Sequence, residues 1–453
     1  MRVLLVSTYE LGHQPLHLAS PAARLLAERH EVRCLDLSIE EWDASAFAWA
    51  DKVAFSVPMH TAMRLALAAV IRLRRQRPDL PIALYGLYAA IGADHSVDQH
   101  DELRIVGEYE DELAAWAAPS GHEDRAIRLD LGRKGFPVPA RHLLPGLESY
   151  ARLEIEGETR LVGYVEASHG CRHRCRHCPI PAVYDGRYRV TGLETVLADI
   201  EQLTTVGAEH ITFGDPDFLN APRYARDVLN EVTRTFPGLT YDLTVKVEHI
   251  LEQASIWKSL ADLGVVFVVS AFETTNDTIL NLLDKGHTAE DMSQAVKTLW
   301  QAGIDVRPSW MPFTPWTERA DLPEIFRFLA EHQLLESTDP VQLTIRLLVP
   351  EGSLLLSLPG ISDLLDGYDP LLLTHTWNSP DPAIDDLQQQ LSALAEQGSQ
   401  DSWATLMKMW TLVSPGVSTP AAKGRSAPRL TEAWFCCAEP TSNQLITVGR
   451  ESP

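Results

Sequence analysis

The stretch His169–Pro181 reads HGCRHRCRHCPIP and places three of the chain's six cysteines within eight residues, spaced C-x3-C-x2-C. So tight a group in a chain with so few cysteines points to metal or redox chemistry and not to a disulfide scaffold. Zinc normally takes four ligands in a closed tetrahedron, and a zinc reading recruits His169, His173 or His177 as the fourth. Structural zinc sites usually pair two short ligand hairpins, and no second C-x2-C lies nearby. Three thiolates on one loop instead suit a [4Fe–4S] cube, which takes one cysteine per iron and leaves the fourth iron open to a substrate or cofactor.

The loop directly follows LVGYVEASHG, an apolar strand. Beyond it the strands HITFGD, LTYDLTVKVE, VVFVVSAFE, DVRPSWMPF and PVQLTIRLLV alternate with helical segments such as ARDVLNEVTRTF and MSQAVKTLWQAG. Thr191 and Glu194 have the spacing of a helix capping box. This alternation predicts six β/α units over residues 159–358, too few for the eight of a closed barrel, so the expectation is a partial, open (β/α)6 barrel of the TIM type.

Residues 1–118 show a shorter alternation. RVLLVSTY, EVRCLDLS, KVAFSVPMH and IALYGLYAA read as strands, and TAMRLALAAVIRLRRQ carries helical spacing. That order predicts a Rossmann-like α/β domain with ligands beyond the carboxyl ends of its strands. Residues 119–158, with GRKGFPVPARHLLPG at their centre, read as a linker. Residues 359–453 form an α-rich C-terminal region, with the helix IDDLQQQLSALAEQ, a Pro/Ser/Gly-rich stretch, and a tail containing the adjacent pair Cys436 and Cys437. Cys34, in an apolar run, reads as a core residue.

Composition narrows the partners. A net charge of −23 over 453 residues argues against nucleic acid, whose phosphates demand a basic footprint, and favours a small-molecule substrate. No run approaches the roughly 20 apolar residues of a membrane span, and the start MRVLLVSTYELG reads as a first strand and not a signal peptide, so a cytoplasmic location is expected.

With the cysteine loop placed after the first barrel strand, the chain resembles the radical S-adenosylmethionine (SAM) superfamily. The resemblance implies that Cys171, Cys175 and Cys178 ligate a [4Fe–4S] cluster, that its open iron chelates SAM, and that a donor such as flavodoxin or ferredoxin supplies the electron. It further implies SAM-binding roles for His177 before the third cysteine, for Gly214 and Asp215 in FGDPDF, and for Glu273 in SAFETT. Arg307 and Ser309 in RPSW, and Arg346 and Leu348 in IRLLV, take similar roles. His177 stands where the family often has an aromatic residue, and FGDPDF replaces the usual Gly-Gly-Glu.

The N-terminal domain, through RIVGEYEDELAAW with Gly107 and Glu108, resembles the cobalamin-binding subclass, which makes cobalamin a further candidate cofactor. The D-x-H-x-x-G motif that supplies a histidine to cobalt is missing. FCCAEP near the end resembles the tail of the CUAEP/CCAEP-tail radical SAM proteins, and the whole resembles the radical SAM enzymes of arsinothricin biosynthesis. That resemblance implies transfer of a SAM-derived 3-amino-3-carboxypropyl group to trivalent arsenic, forming hydroxyarsinothricin, with Cys436 and Cys437 as catalytic thiols clamping arsenite. Two alternatives stand beside it: a cobalamin-dependent radical SAM methyltransferase acting on a small organic substrate, and a non-catalytic zinc or arsenic sensor.

Overall fold

The computed structural model describes residues 1–92, 102–119, 127–132, 135–397, 401–421, 424–425, 427–432 and 442–449. Two parallel-rich sheets organise the chain. The first holds β1 (Arg2–Ser7), β2 (Glu31–Asp36), β3 (Lys52–Ser56), β4 (Ile82–Tyr85), β5 (Leu103–Gly107) and β6 (Ile127–Asp130), in the order β2-β1-β3-β4-β5-β6, all parallel. β1, β3 and β4 are buried along their whole length or nearly so, as expected of strands covered by helices on both faces. Separate apolar clusters fill those two faces, one around Val6, Phe55 and Leu84, the other around Leu5, Ala54 and Tyr85. The order reverses between β1 and β3, which opens a crevice at the strands' carboxyl ends. β6 falls inside the stretch read as a linker, so the first sheet runs on to Asp130. Cys34 on β2 is half-buried, and burial pushes its thiol up to about 12.

The second sheet contains β7 (Arg152–Ile155) and β8 (Glu158–Val165), an antiparallel hairpin. Past β8 the chain forms a short antiparallel pair, β9 (Ser168–Gly170) with β10 (Tyr188–Val190), that frames the cysteine loop. β11 (His210–Phe213), β12 (Thr240–Thr244), β13 (Val265–Glu273) and β14 (Asp305–Trp310) then continue the sheet parallel to β8. The expected sixth unit is reduced to one parallel bridge, Phe313 to Arg346, because Pro340–Thr344 turns into a 3-10 helix. After the hairpin of β15 (Gly367–Asp369) and β16 (Thr374–Thr376), the helices Pro382–Glu396 and Ser402–Val413 pack onto the main core.

The open seam of the curled sheet is taken by the C-terminal segment. β17 (Arg429–Leu430) pairs antiparallel with β7, and Arg307 on β14 donates to the carbonyl of Pro428 at 3.4 Å, so this segment touches both edges of the sheet. Leu430 packs with Leu153, Val162, Phe267 and Val269 as a separate apolar plug. Further on, helix Ser442–Gly449 docks on helix His60–Gln76 of the first domain, where Arg72 donates to the carbonyl of Val448 at 3.2 Å. Among the described residues, no helix is long and apolar enough to cross a membrane.

Candidate active site

The carboxyl ends of both sheets converge on one cavity of about 350 Å³. Leu11, His13 and His17 after β1, Pro58 and Met59 after β3, Gly86 to Tyr88 after β4, and Tyr109 after β5 form one side. Opposite them stand Cys171, Cys175 and Cys178 with Gly214, Asp217, Lys246 and Glu273. A larger groove of about 760 Å³ opens at the other end of the barrel, lined by Glu154, Glu156, Asp305 and Asp339. It holds none of the chemistry-bearing cysteines.

The loop that carries the three thiols is tied down at every turn. Gly170 has φ +74°, and a Cβ there would lie 2.5 Å from the carbonyl oxygen of Arg187, so only glycine fits before Cys171. Asp215 accepts from the Ala167 amide at 2.9 Å and from the Ser168 hydroxyl at 2.5 Å. Burial nevertheless raises its carboxyl to about 7. Asn220 accepts from the Arg172 amide at 3.1 Å and lies 3.7 Å from Cys171 Sγ. Burial pushes the Cys171 thiol up to about 11, so a metal that binds it must displace a proton to take the thiolate. Thr191 does not close a capping box: Gly192 is the N-cap, and the Thr191 hydroxyl donates to the carbonyl of Glu166 at 3.0 Å.

The loop arginines face away from the cavity. Arg172 donates to the carbonyl of Asn220, Arg174 pairs with Asp185 at the surface, and Arg176 donates to the carbonyls of Asn281 and Leu282 at a helix end. The buried cation beside the thiols is Lys285, whose Nζ donates to Glu273 Oε1 at 3.0 Å. Glu273 has φ +66° and lies 3.1 Å from His177 Nε2. Burial alone would raise its carboxyl, but Lys285 and His177 hold it well below the usual carboxylate range.

Two polar networks complete the walls. His169 sits between Glu108 of the first domain, 2.9 Å from Nδ1, and Glu166, 3.2 Å from Nε2. Burial opposes its charge, yet these carboxylates lift its pKa to about 10. His173, Asp217 and His249 also converge, with His173 Nε2 3.3 Å from His249 Nε2 and His249 Nδ1 2.7 Å from Asp217. The Lys246 ammonium, 3.0 Å from His173 Nδ1, assigns the remaining protons along this chain and disfavours a further cation there.

Of the residues singled out in the sequence, His177, Gly214, Asp215, Glu273, Arg307 and the three loop cysteines border the cavity. A Cβ at Gly214 would fall 2.0 Å from Tyr164 Oη, so any side chain there must displace that ring. Arg307 is largely spent, bonded to Asp339 at 2.8 Å and to Pro428. Three others do not border it. Ser309 is buried on β14 opposite Ala271. Arg346 is drawn outward by Asp385 at 2.6 Å, the carbonyl of Trp377 and the Trp377 ring, and Leu348 lies half-buried past the bridge that replaces the sixth strand. Cys436 and Cys437 lie outside the described residues. Lys285, a lone lysine in LDKGHT, carries no sequence motif.

Residues 165–329, the span from the end of β8 through the helix after β14, match the Radical SAM superfamily model. This stretch is a radical SAM domain. A radical SAM domain implies a [4Fe–4S] cluster and SAM, and its three candidate cluster ligands stand on the cavity wall just described. The hopanoid C-2 methylase of Rhodopseudomonas palustris is 26% identical over 341 residues, 72% of this chain and 60% of its own length. Two solved structures share the fold beyond the radical SAM domain. The cobalamin-dependent enzyme OxsB, solved with aqua-cobalamin and SAM, superposes with a TM-score of 0.64 at 13% identity, covering 86% of this chain and 66% of its own. The methyltransferase TsrM from Kitasatospora setae, solved with tryptophan and a SAM analogue, gives 0.53 at 19%, covering 72% and 71%. The chain thus spans about three-fifths of the methylase and two-thirds of OxsB.

Proposed function

We propose that the chain is a cobalamin-dependent radical SAM methyltransferase acting on a small organic substrate in the cavity between its two sheets. The observation that carries this reading is the shared cavity, with the strand ends of an α/β domain on one side and three cysteines of a radical SAM domain on the other. The methylase relative and the cobalamin-dependent fold neighbours support it.

The residues present fit the groups this reading requires. Cys171, Cys175 and Cys178 would hold the cluster, which when bound supplies one electron to the SAM sulfonium. His177, Gly214, Asp215, Glu273 and Arg307 border the space for SAM. Leu11, Pro58, Met59, Leu87 and Tyr88 offer an apolar wall for cobalamin, which when bound carries the methyl group. The D-x-H-x-x-G motif is missing, and of the first-domain histidines on the cavity wall His17 is bonded to the Tyr109 hydroxyl at 2.6 Å while His13 stacks on Tyr164. This reading therefore takes cobalamin without a histidine ligand. The chain's own contribution is to hold the reacting groups in register and exclude water, through the fixed cysteine loop and the polar clamp joining the two domains.

A second reading keeps the aminocarboxypropyl transfer to trivalent arsenic. The relatives, being methylases, lend it no support. What favours it is Glu432, four positions before Cys436, which borders the cavity and accepts from the Tyr9 hydroxyl at 3.1 Å. Anaerobically reconstituted protein given SAM, reductant and cobalamin separates the two. The methyltransferase reading expects cobalamin retained through gel filtration and S-adenosylhomocysteine formed only when it is present. No retention and no S-adenosylhomocysteine reject it.

A further inference from the structure

The segment carrying Lys285 is fastened to the cysteine loop between its second and third thiols. The Arg176 amide donates to the carbonyl of Leu283 at 2.9 Å, and the Arg176 guanidinium covers the carbonyls of Asn281 and Leu282. Asp284, at φ +56°, then turns the chain so that Lys285 points inward. There the lysine side chain is 4% exposed and reaches Glu273, which also meets His177, the neighbour of Cys178. We propose that Lys285 is a positioning residue for electron transfer: its fixed charge raises the reduction potential of the cluster held by Cys171, Cys175 and Cys178, and Glu273 limits the rise.

The argument is electrostatic. Adding an electron to a cluster ligated by thiolates costs less beside a buried cation, and a low-dielectric site magnifies the effect. Lys285, Cys175 and Cys178 line the same cavity. The loop arginines, bonded elsewhere and turned from the cavity, contribute less than their number suggests. The inference rests on the cluster and not on the identity of the methyl acceptor.

The test is a redox titration of the reconstituted, SAM-free protein followed by electron paramagnetic resonance, with iron and sulfide content measured in parallel. Lys285→Gln keeps a hydrogen-bond donor for Glu273 but loses the charge. It is expected to hold about tenfold less reduced cluster at a fixed potential, about 59 mV more negative for one electron, while Lys285→Arg restores the wild-type midpoint. Glu273→Gln is expected to shift the midpoint the other way, which keeps the proposal testable if Lys285→Gln fails to take up iron. Full iron with an unmoved midpoint in Lys285→Gln, or an unmoved or more negative midpoint in Glu273→Gln, overturns it. A wild-type protein without any cluster signal instead overturns the cluster reading itself.

Discussion

Arg141 sets its guanidinium against both carboxylate oxygens of Asp199 at 2.8 Å, fully inside the protein. The same side chain donates to Tyr164 O and to Gln14 of the first domain, so one residue joins that domain, the intervening segment and the barrel. Removing one partner of a buried ion pair leaves the other uncompensated and costs about 3–5 kcal/mol. Arg141→Ala should lose that much in urea unfolding, and Arg141→Lys should recover only part of it because the two-pronged geometry is gone. A loss below about 1 kcal/mol for the alanine variant would mean the pair is not what holds the domains together.

Gly170 makes a more local prediction. The atom a side chain would strike is backbone, which cannot move aside as a side-chain tip can. Gly170→Ala should therefore disturb the first cysteine's placement. Iron and sulfide uptake should fall several-fold on reconstitution while the far-UV circular dichroism of the protein stays unchanged. Normal iron uptake would show the loop to be more forgiving than its geometry implies.

Asp215 predicts a pH dependence. Its folded pKa, about 7, lies above the ordinary 3.8, so its contribution to stability is complete below about pH 4 and is lost progressively as pH rises to about 7. Metal-free Asp215→Asn should lack this component. The melting temperature of wild type relative to the variant should fall between those limits and level off above them. A constant difference across the range would contradict an uncharged Asp215.

Arg346 separates resemblance from placement. Its contacts with Asp385 and Trp377 join the barrel to the C-terminal helices and leave it off the cavity wall. Arg346→Ala should lower the melting temperature, by the equivalent of about 1–2 kcal/mol, while the Kd for SAM in the reconstituted protein stays at the wild-type value. A several-fold weaker Kd would return Arg346 to the site.

These residues also show what a sequence carries. The C-x3-C-x2-C loop and the alternation around it were legible because ligand spacing and strand–helix period are local. The position of Arg346 was not, because it depends on a sixth strand that Pro340 and its neighbours turn into a 3-10 helix. β17 was invisible for a different reason. Its two residues directly follow a Pro/Ser/Gly-rich stretch with no periodicity, and only the curled sheet supplies the edge it pairs with. Lys285 gains its meaning solely from the turn that brings it beneath the cysteine loop, and the capping-box spacing of Thr191 fails because the helix starts one residue later, at the N-cap Gly192, while the Thr191 hydroxyl donates to the carbonyl of Glu166.

The most direct test is mass spectrometry of the SAM-derived nucleosides left by the reduced, cobalamin-supplied protein under anaerobic conditions, with and without arsenite. Cleavage and methyl transfer at the interdomain cavity predict 5′-deoxyadenosine and S-adenosylhomocysteine in both samples, and neither product when Cys171, Cys175 and Cys178 are serine. Methylthioadenosine that appears only with arsenite, without S-adenosylhomocysteine in either sample, would contradict the account.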